Sequence, residues 1–91
     1  MKKQLHLICC DLRSRREVRE YQGLLNELRV LGAFRSLETT WWLERDGITA
    51  AQLRDRLGRF ISNEDRLLVV CVSDWAGRWL MATANDAVKA A

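Results

Sequence analysis

The feature that most constrains this chain is an apolar run that stops on a carboxylate, Leu5-His6-Leu7-Ile8-Cys9-Cys10-Asp11. The run is short and apolar at both odd and even positions. It therefore predicts a strand over Gln4–Asp11, central in a sheet with material packed on each face. Asp11 then stands at the C-terminal mouth of that strand, where βα units tend to place their site residues. Leu12 and the basic cluster Arg13-Ser14-Arg15-Arg16 follow at once. A second reading of Asp11 is a carboxylate that caps the following turn by accepting backbone N–H groups.

Beyond the cluster, Val18, Tyr21, Leu24, Leu25, Leu28 and Leu31 fall at three- and four-residue spacings. The spacing predicts an amphipathic helix from about Arg16 to Leu31, with Ser14 and Glu17 as a capping box and Gly32 as its left-handed stop. Residues 33–45 turn to β-forming types, and Thr40-Trp41-Trp42 is the clearest stretch. A break near Glu38-Thr39 gives two strands, Phe34 to Glu38 and Thr40 to Arg45. Thr49 and Gln52 form a second capping box, for a helix from Ala50 to about Ile61 with Leu53, Leu57, Phe60 and Ile61 inside. Ser62-Asn63-Glu64-Asp65 reads as a polar loop, and Arg66 to Ser73 as another strand apolar on both faces. A turn and short return strand are expected over 74–81, with a small polar tail over 82–91, frayed or disordered.

The order β-α-β-β-α-β with a C-terminal extension is the split βαβ, or ferredoxin-like, plan of an α+β domain. The two all-apolar strands are expected side by side in the middle of the sheet. Two helices cover one face only, so the other face calls for a partner, and a homodimer is the expectation. At 91 residues the chain is a single domain, with a core over about 4–81.

Twelve of the fifteen basic residues are Arg, with a formal net charge of +3. Guanidinium pairs bidentately with phosphate, which suits RNA or DNA, although many of these Arg can equally be solvated helix-face residues. Three Cys, no Pro and no transmembrane-length apolar run lead us to expect a cytoplasmic protein without a membrane partner. Met1-Lys2-Lys3 looks like the start of a signal peptide, but the apolar stretch meets Asp11 and Arg13 too soon. Cys9 and Cys10 point to opposite strand faces and read, with Cys71, as small buried hydrophobes. Neither they nor His6 have zinc-ligand spacing, and His6 is expected to be packed rather than catalytic.

The chain resembles the CRISPR-associated protein 2 superfamily, in particular its SinR-like branch, with VapD toxins as more distant relatives. The resemblance rests on the first strand ending in Asp11-Leu12, Leu31-Gly32-Ala33-Phe34 and Leu37-Glu38-Thr39-Thr40-Trp41. It continues through Leu53-Arg54-Asp55 and Asp65-Arg66-Leu67-Leu68-Val69. It implies a ferredoxin-like fold and a homodimer whose last strand packs on the neighbouring subunit. It also implies that Asp11 faces its twin across the two-fold axis and can bind a divalent metal. Cys10 stands where members usually carry Tyr.

On that resemblance Asp11 is the candidate catalytic and metal-binding residue, with Mg²⁺ or Mn²⁺ as the ion. Two copies would supply two hard oxygen ligands, and water or phosphate the rest. Arg13, Arg15 and Arg16 are the candidate phosphate-binding residues. The four Trp suggest base stacking or interface packing, and Trp75 and Trp79 are assigned first to the dimer interface. No small-molecule cofactor is evident. Two functions remain open: a metal-dependent nuclease, or a non-catalytic dimeric scaffold in a nucleic-acid or toxin-antitoxin assembly.

Overall fold

A computed structural model of the chain describes residues 4–81. The elements run β1 (Gln4–Asp11), α1 (Gln22–Leu31), β2 (Phe34–Leu37), β3 (Thr40–Arg45), α2 (Ala50–Gly58) and β4 (Arg66–Cys71). The four strands form one antiparallel sheet in the order β2-β3-β1-β4. Among the described residues, no helix is long and apolar enough to cross a membrane. The tail at 82–91, expected to be frayed or disordered, lies outside the described residues.

β1 has the expected bounds and is central, flanked by β3 and β4. β4 is its neighbour but not a second central strand: it forms an edge, and β3 takes the other inner place. An apolar run on both faces therefore has two causes here. In β1 it reflects burial between layers. In β4 the outward residues remain partly open, and Leu68 is 59% exposed.

The two helices pack on one face. Alternation along β1 turns His6, Ile8 and Cys10 toward them, and β3 adds Trp41 and Leu43. Leu24 and Leu28 from α1 and Leu53 and Leu57 from α2 close this layer. Burying a Leu or Ile side chain contributes about 1.5–3 kcal/mol over leaving it exposed, so these residues dominate the stability of the layer.

Local signals set two of the four α-helix ends. Gly32 ends α1 in the left-handed region at φ 88°, where a Cβ would be strained. Thr49 opens α2: its Oγ1 accepts from Gln52 N at 3.1 Å, while Gln52 Oε1 accepts from Thr49 N at 2.8 Å. Four expected boundaries are corrected, among them β2, which ends at Leu37 rather than Glu38. α1 begins at Gln22 rather than Arg16, behind a separate 3-10 turn (Val18–Glu20) in which Glu17 N donates to Glu20 Oε2 at 2.8 Å. Ser14 does not cap it, because its hydroxyl is held elsewhere. α2 stops at Gly58, and β4 stops at Cys71.

The second sheet face carries Leu5, Leu7, Phe34 and Trp42. No return strand forms over 74–81. Instead the segment lies against this face without regular pairing. Val72 N donates to Leu5 O and Met81 N to Ser36 O, both at 2.8 Å. Trp75 packs on Trp42 with ring centroids 5.3 Å apart and planes tilted by 55°. Part of the face expected to need a partner is thus covered by the chain itself.

Candidate functional site

The loop from β1 into α1 carries the basic cluster, and a single carboxylate holds it in place. Asp65 Oδ1 accepts from Arg13 N at 2.7 Å, Ser14 N at 2.9 Å and the Tyr21 hydroxyl at 2.8 Å. Its Oδ2 accepts from Ser14 Oγ at 2.8 Å and Ser62 N at 2.9 Å. Tyr21 extends the network, because its oxygen also accepts from Arg15 N at 3.0 Å. The backbone of Arg13, Ser14 and Arg15 is therefore pinned through two side chains, one from the start of α1 and one from the distant turn before β4.

The charge state of Asp65 follows from these contacts. Burial alone would raise its carboxyl. The N–H groups of Ser14, Ser62 and Arg13 and the Ser14 hydroxyl outweigh that effect and hold it far below the ordinary carboxylate range. Asp65 is an ionised, fully engaged acceptor rather than a proton donor.

Asp11 has a different environment. Its carboxylate is exposed at the end of β1, opposite Arg66 in register, with Oδ2 3.7 Å from Arg66 Nη1. Both groups are solvated, so this pair adds little stability. The turn-capping role considered for Asp11 belongs to Asp65. Among the described residues, no three His, Cys, Asp or Glu side chains cluster as a metal site. The chain by itself offers at Asp11 one carboxylate facing a guanidinium.

The pinned loop forms one wall of a groove of about 540 Å³. Arg15, Arg16 and Arg19 come from the loop and the 3-10 turn, and Arg35 and Glu38 from the β2–β3 hairpin opposite. Leu12, Val18 and Leu25 form an apolar floor. Four guanidinium groups outnumber the two carboxylates of Glu17 and Glu38, and Glu17 is itself paired with Arg19. Neither Asp11 nor Arg13 lines this groove. The structure thus groups Arg15 and Arg16 with Arg19 and Arg35, and sets Asp11 apart with Arg66.

The remaining sequence candidates separate clearly. Trp41 and Trp42 face opposite sides of the sheet, as alternation requires, with Trp41 in the helix-covered core. Trp75 packs on its own chain's Trp42, whereas Trp79 is 91% exposed, with the Arg78 guanidinium 5.3 Å from its ring centre. His6 is fully buried, and neither ring nitrogen has a hydrogen-bond partner among the described residues. Burial pushes its pKa down; the nearby Ile48 backbone opposes this without reaching hydrogen-bond geometry. Burial, with the charges of Cys9 and Asp65, pushes the Cys10 thiol up to about 12.

Sequence reasoning missed Asp65 and Arg35 as parts of this region. The Ser62…Asp65 spacing was a usable signal, because Asp65 N also donates back to Ser62 O at 3.1 Å, a locally closed turn. Arg35 had no local signal; it joins the groove only because β2 is brought beside the α1 entrance.

Fold and site together define a small antiparallel α+β domain with an arginine-lined groove beside its first loop. Comparison with family models, curated proteins and solved structures finds no match for the chain.

Proposed function

We propose that this protein is a nucleic-acid-binding, ferredoxin-like domain of the CRISPR-associated protein 2 type, acting as a homodimer and holding the phosphodiester backbone along the Arg15–Arg35 groove. The observation that carries this reading is the groove itself. Arginines from two chain segments converge on one concavity, and one of those segments is clamped by a buried carboxylate. Guanidinium forks held on a rigid backbone suit phosphate oxygens better than scattered surface lysines do. The β-α-β-β-α-β element order supports the ferredoxin-like assignment. The open β4 edge, with Leu68 exposed, supports association with a second copy.

Binding without cleavage is the reading favoured by the donor set. Asp11 faces the Arg66 guanidinium, with Oδ2 3.7 Å from Nη1. A second reading retains Mg²⁺- or Mn²⁺-dependent phosphodiester cleavage. It is favoured by one observation: the Asp11 carboxylate is exposed and held only by a solvated contact to Arg66 at 3.7 Å, which leaves it accessible to a partner copy's Asp11.

The test uses labelled RNA and duplex DNA with Mg²⁺, Mn²⁺ or a chelator, for wild type, Asp11→Ala and the double charge reversal Arg15→Glu/Arg16→Glu. Binding should weaken steeply with salt, by a log–log slope of about −0.7 to −0.9 per phosphate contacted. The double reversal should weaken it by more than about tenfold, while Asp11→Ala should not. Metal-dependent cleavage lost in Asp11→Ala would replace the binding reading with the nuclease. Absence of binding at low salt would remove both. Sedimentation at the monomer mass would remove the dimer.

A further inference from the structure

The groove has features that phosphate binding alone does not need. Its floor is apolar, formed by Leu12, Val18 and Leu25. Its volume of about 540 Å³ falls within the range of sites that enclose small organic groups. A regular duplex keeps its bases stacked inside and offers such a concavity only its phosphates at the rim. An unpaired nucleotide can enter it.

Arg35 supplies the second part of the argument. Its Nε donates to Glu38 O at 2.8 Å, and its guanidinium carbon lies 6.0 Å from the centre of the Trp41 ring. Trp41 is buried and opposes Arg35 across the β2–β3 pair, so the guanidinium is anchored from below by an indole and from the side by its own turn. An arginine anchored at the groove lining in this way can offer its guanidinium plane to a base. Glu38, at the same end, provides a carboxylate that can accept from a base's exocyclic amino group. Arg15 and Arg16 on the opposite wall are left for the flanking phosphates, whereas Arg19 is paired with Glu17.

We infer that the groove is a base-binding subsite for single-stranded nucleic acid: one unpaired base stacks on the guanidinium of Arg35 above the Leu12–Val18–Leu25 floor, and Arg15 and Arg16 hold its phosphates. This inference rests on the nucleic-acid reading above and adds which strand state the groove selects.

The test compares three fluorescein-labelled probes of equal length by anisotropy: a single-stranded RNA, the same sequence as a duplex, and an abasic sugar-phosphate strand. The single strand should bind about tenfold more tightly than the abasic strand, the range expected for one stacked base. Arg35→Lys keeps the charge and removes the plane. It should weaken the single strand several-fold and leave the abasic strand unchanged, an outcome that misfolding would not produce. Equal binding of single and abasic strands, or tighter binding of the duplex, overturns the base subsite while leaving phosphate binding intact. An equal loss on both strands in Arg35→Lys also overturns it, because Arg35 would then act as a charge only. Failure of all three probes at low salt overturns the underlying reading as well.

Discussion

The phenol of Tyr21 donates to Oδ1 of Asp65 at 2.8 Å across 44 positions of sequence. The contact joins the start of α1 to the turn before β4, and the basic loop between β1 and α1 is tied to both. Tyr21 is 4% and Asp65 8% exposed, so water cannot readily replace either partner. Linked bonds in such a setting reinforce one another.

Tyr21→Phe should cost about 1–2 kcal/mol, because it removes the bond to Asp65 and the acceptor of Arg15 N. Asp65→Ala should cost more, at least about 3 kcal/mol, since several donors lose an ionised acceptor together. Urea midpoints at unchanged slope would measure both. A double-mutant cycle should show a coupling clearly above zero; additive losses would deny the network.

Acidification should destabilise the fold in two stages. His6 has its folded pKa lowered below the ordinary 6.5, so the unfolded chain takes up the proton more readily. Its contribution is fully present above 6.5 and is lost as pH falls below that value toward the folded pKa. Asp65 is depressed below its ordinary 3.8, so its contribution persists to lower pH and is lost only as pH falls below 3.8 toward the folded value. Melting temperatures across pH should show the first decline in wild type and not in His6→Leu.

The three thiols should react in a fixed order. Cys71 is exposed on the edge strand and should alkylate first. Cys9 is partly buried, and burial raises its pKa against the opposing effect of the Thr40 side chain, so it should follow slowly. Cys10, buried and pushed up to about 12, should react only on unfolding. Mass-mapped iodoacetamide labelling under native conditions would show Cys10 unmodified; early labelling there would contradict the packing.

Trp75→Ala should uncover Trp42 on the second sheet face. The loss of the tilted indole pair should lower stability by about 1–3 kcal/mol. Trp42 emission should move to the red and binding of a hydrophobic dye should rise. An unchanged spectrum would mean that the 72–81 segment does not shield the sheet.

Much of the architecture is legible in the sequence. β1 ended on Asp11 as its apolar run required, the β2–β3 break fell at Glu38-Thr39, and Thr49 with Gln52 opened α2. These features rest on contacts between residues four or fewer apart, or on alternation along one strand. The capping signal at Ser14 misled for the complementary reason. Its hydroxyl had a stronger long-range acceptor in Asp65, and α1 began after a separate turn. Local bonding lost to a buried carboxylate 51 residues away.

The candidate site divides along the same line. Sequence alone determined that Arg15 and Arg16 follow the central strand, that Trp41 and Trp42 take opposite faces, and that two helices and four strands alternate in this order. Tertiary structure decided which arginines share a groove, that Asp11 meets Arg66 instead of joining them, and that Asp65 holds the loop. The physical reason is range. Periodicity and capping follow from neighbouring backbone, whereas grooves and buried carboxylates depend on segments brought together by burial of Leu24, Leu43, Leu53 and Leu57 in one core.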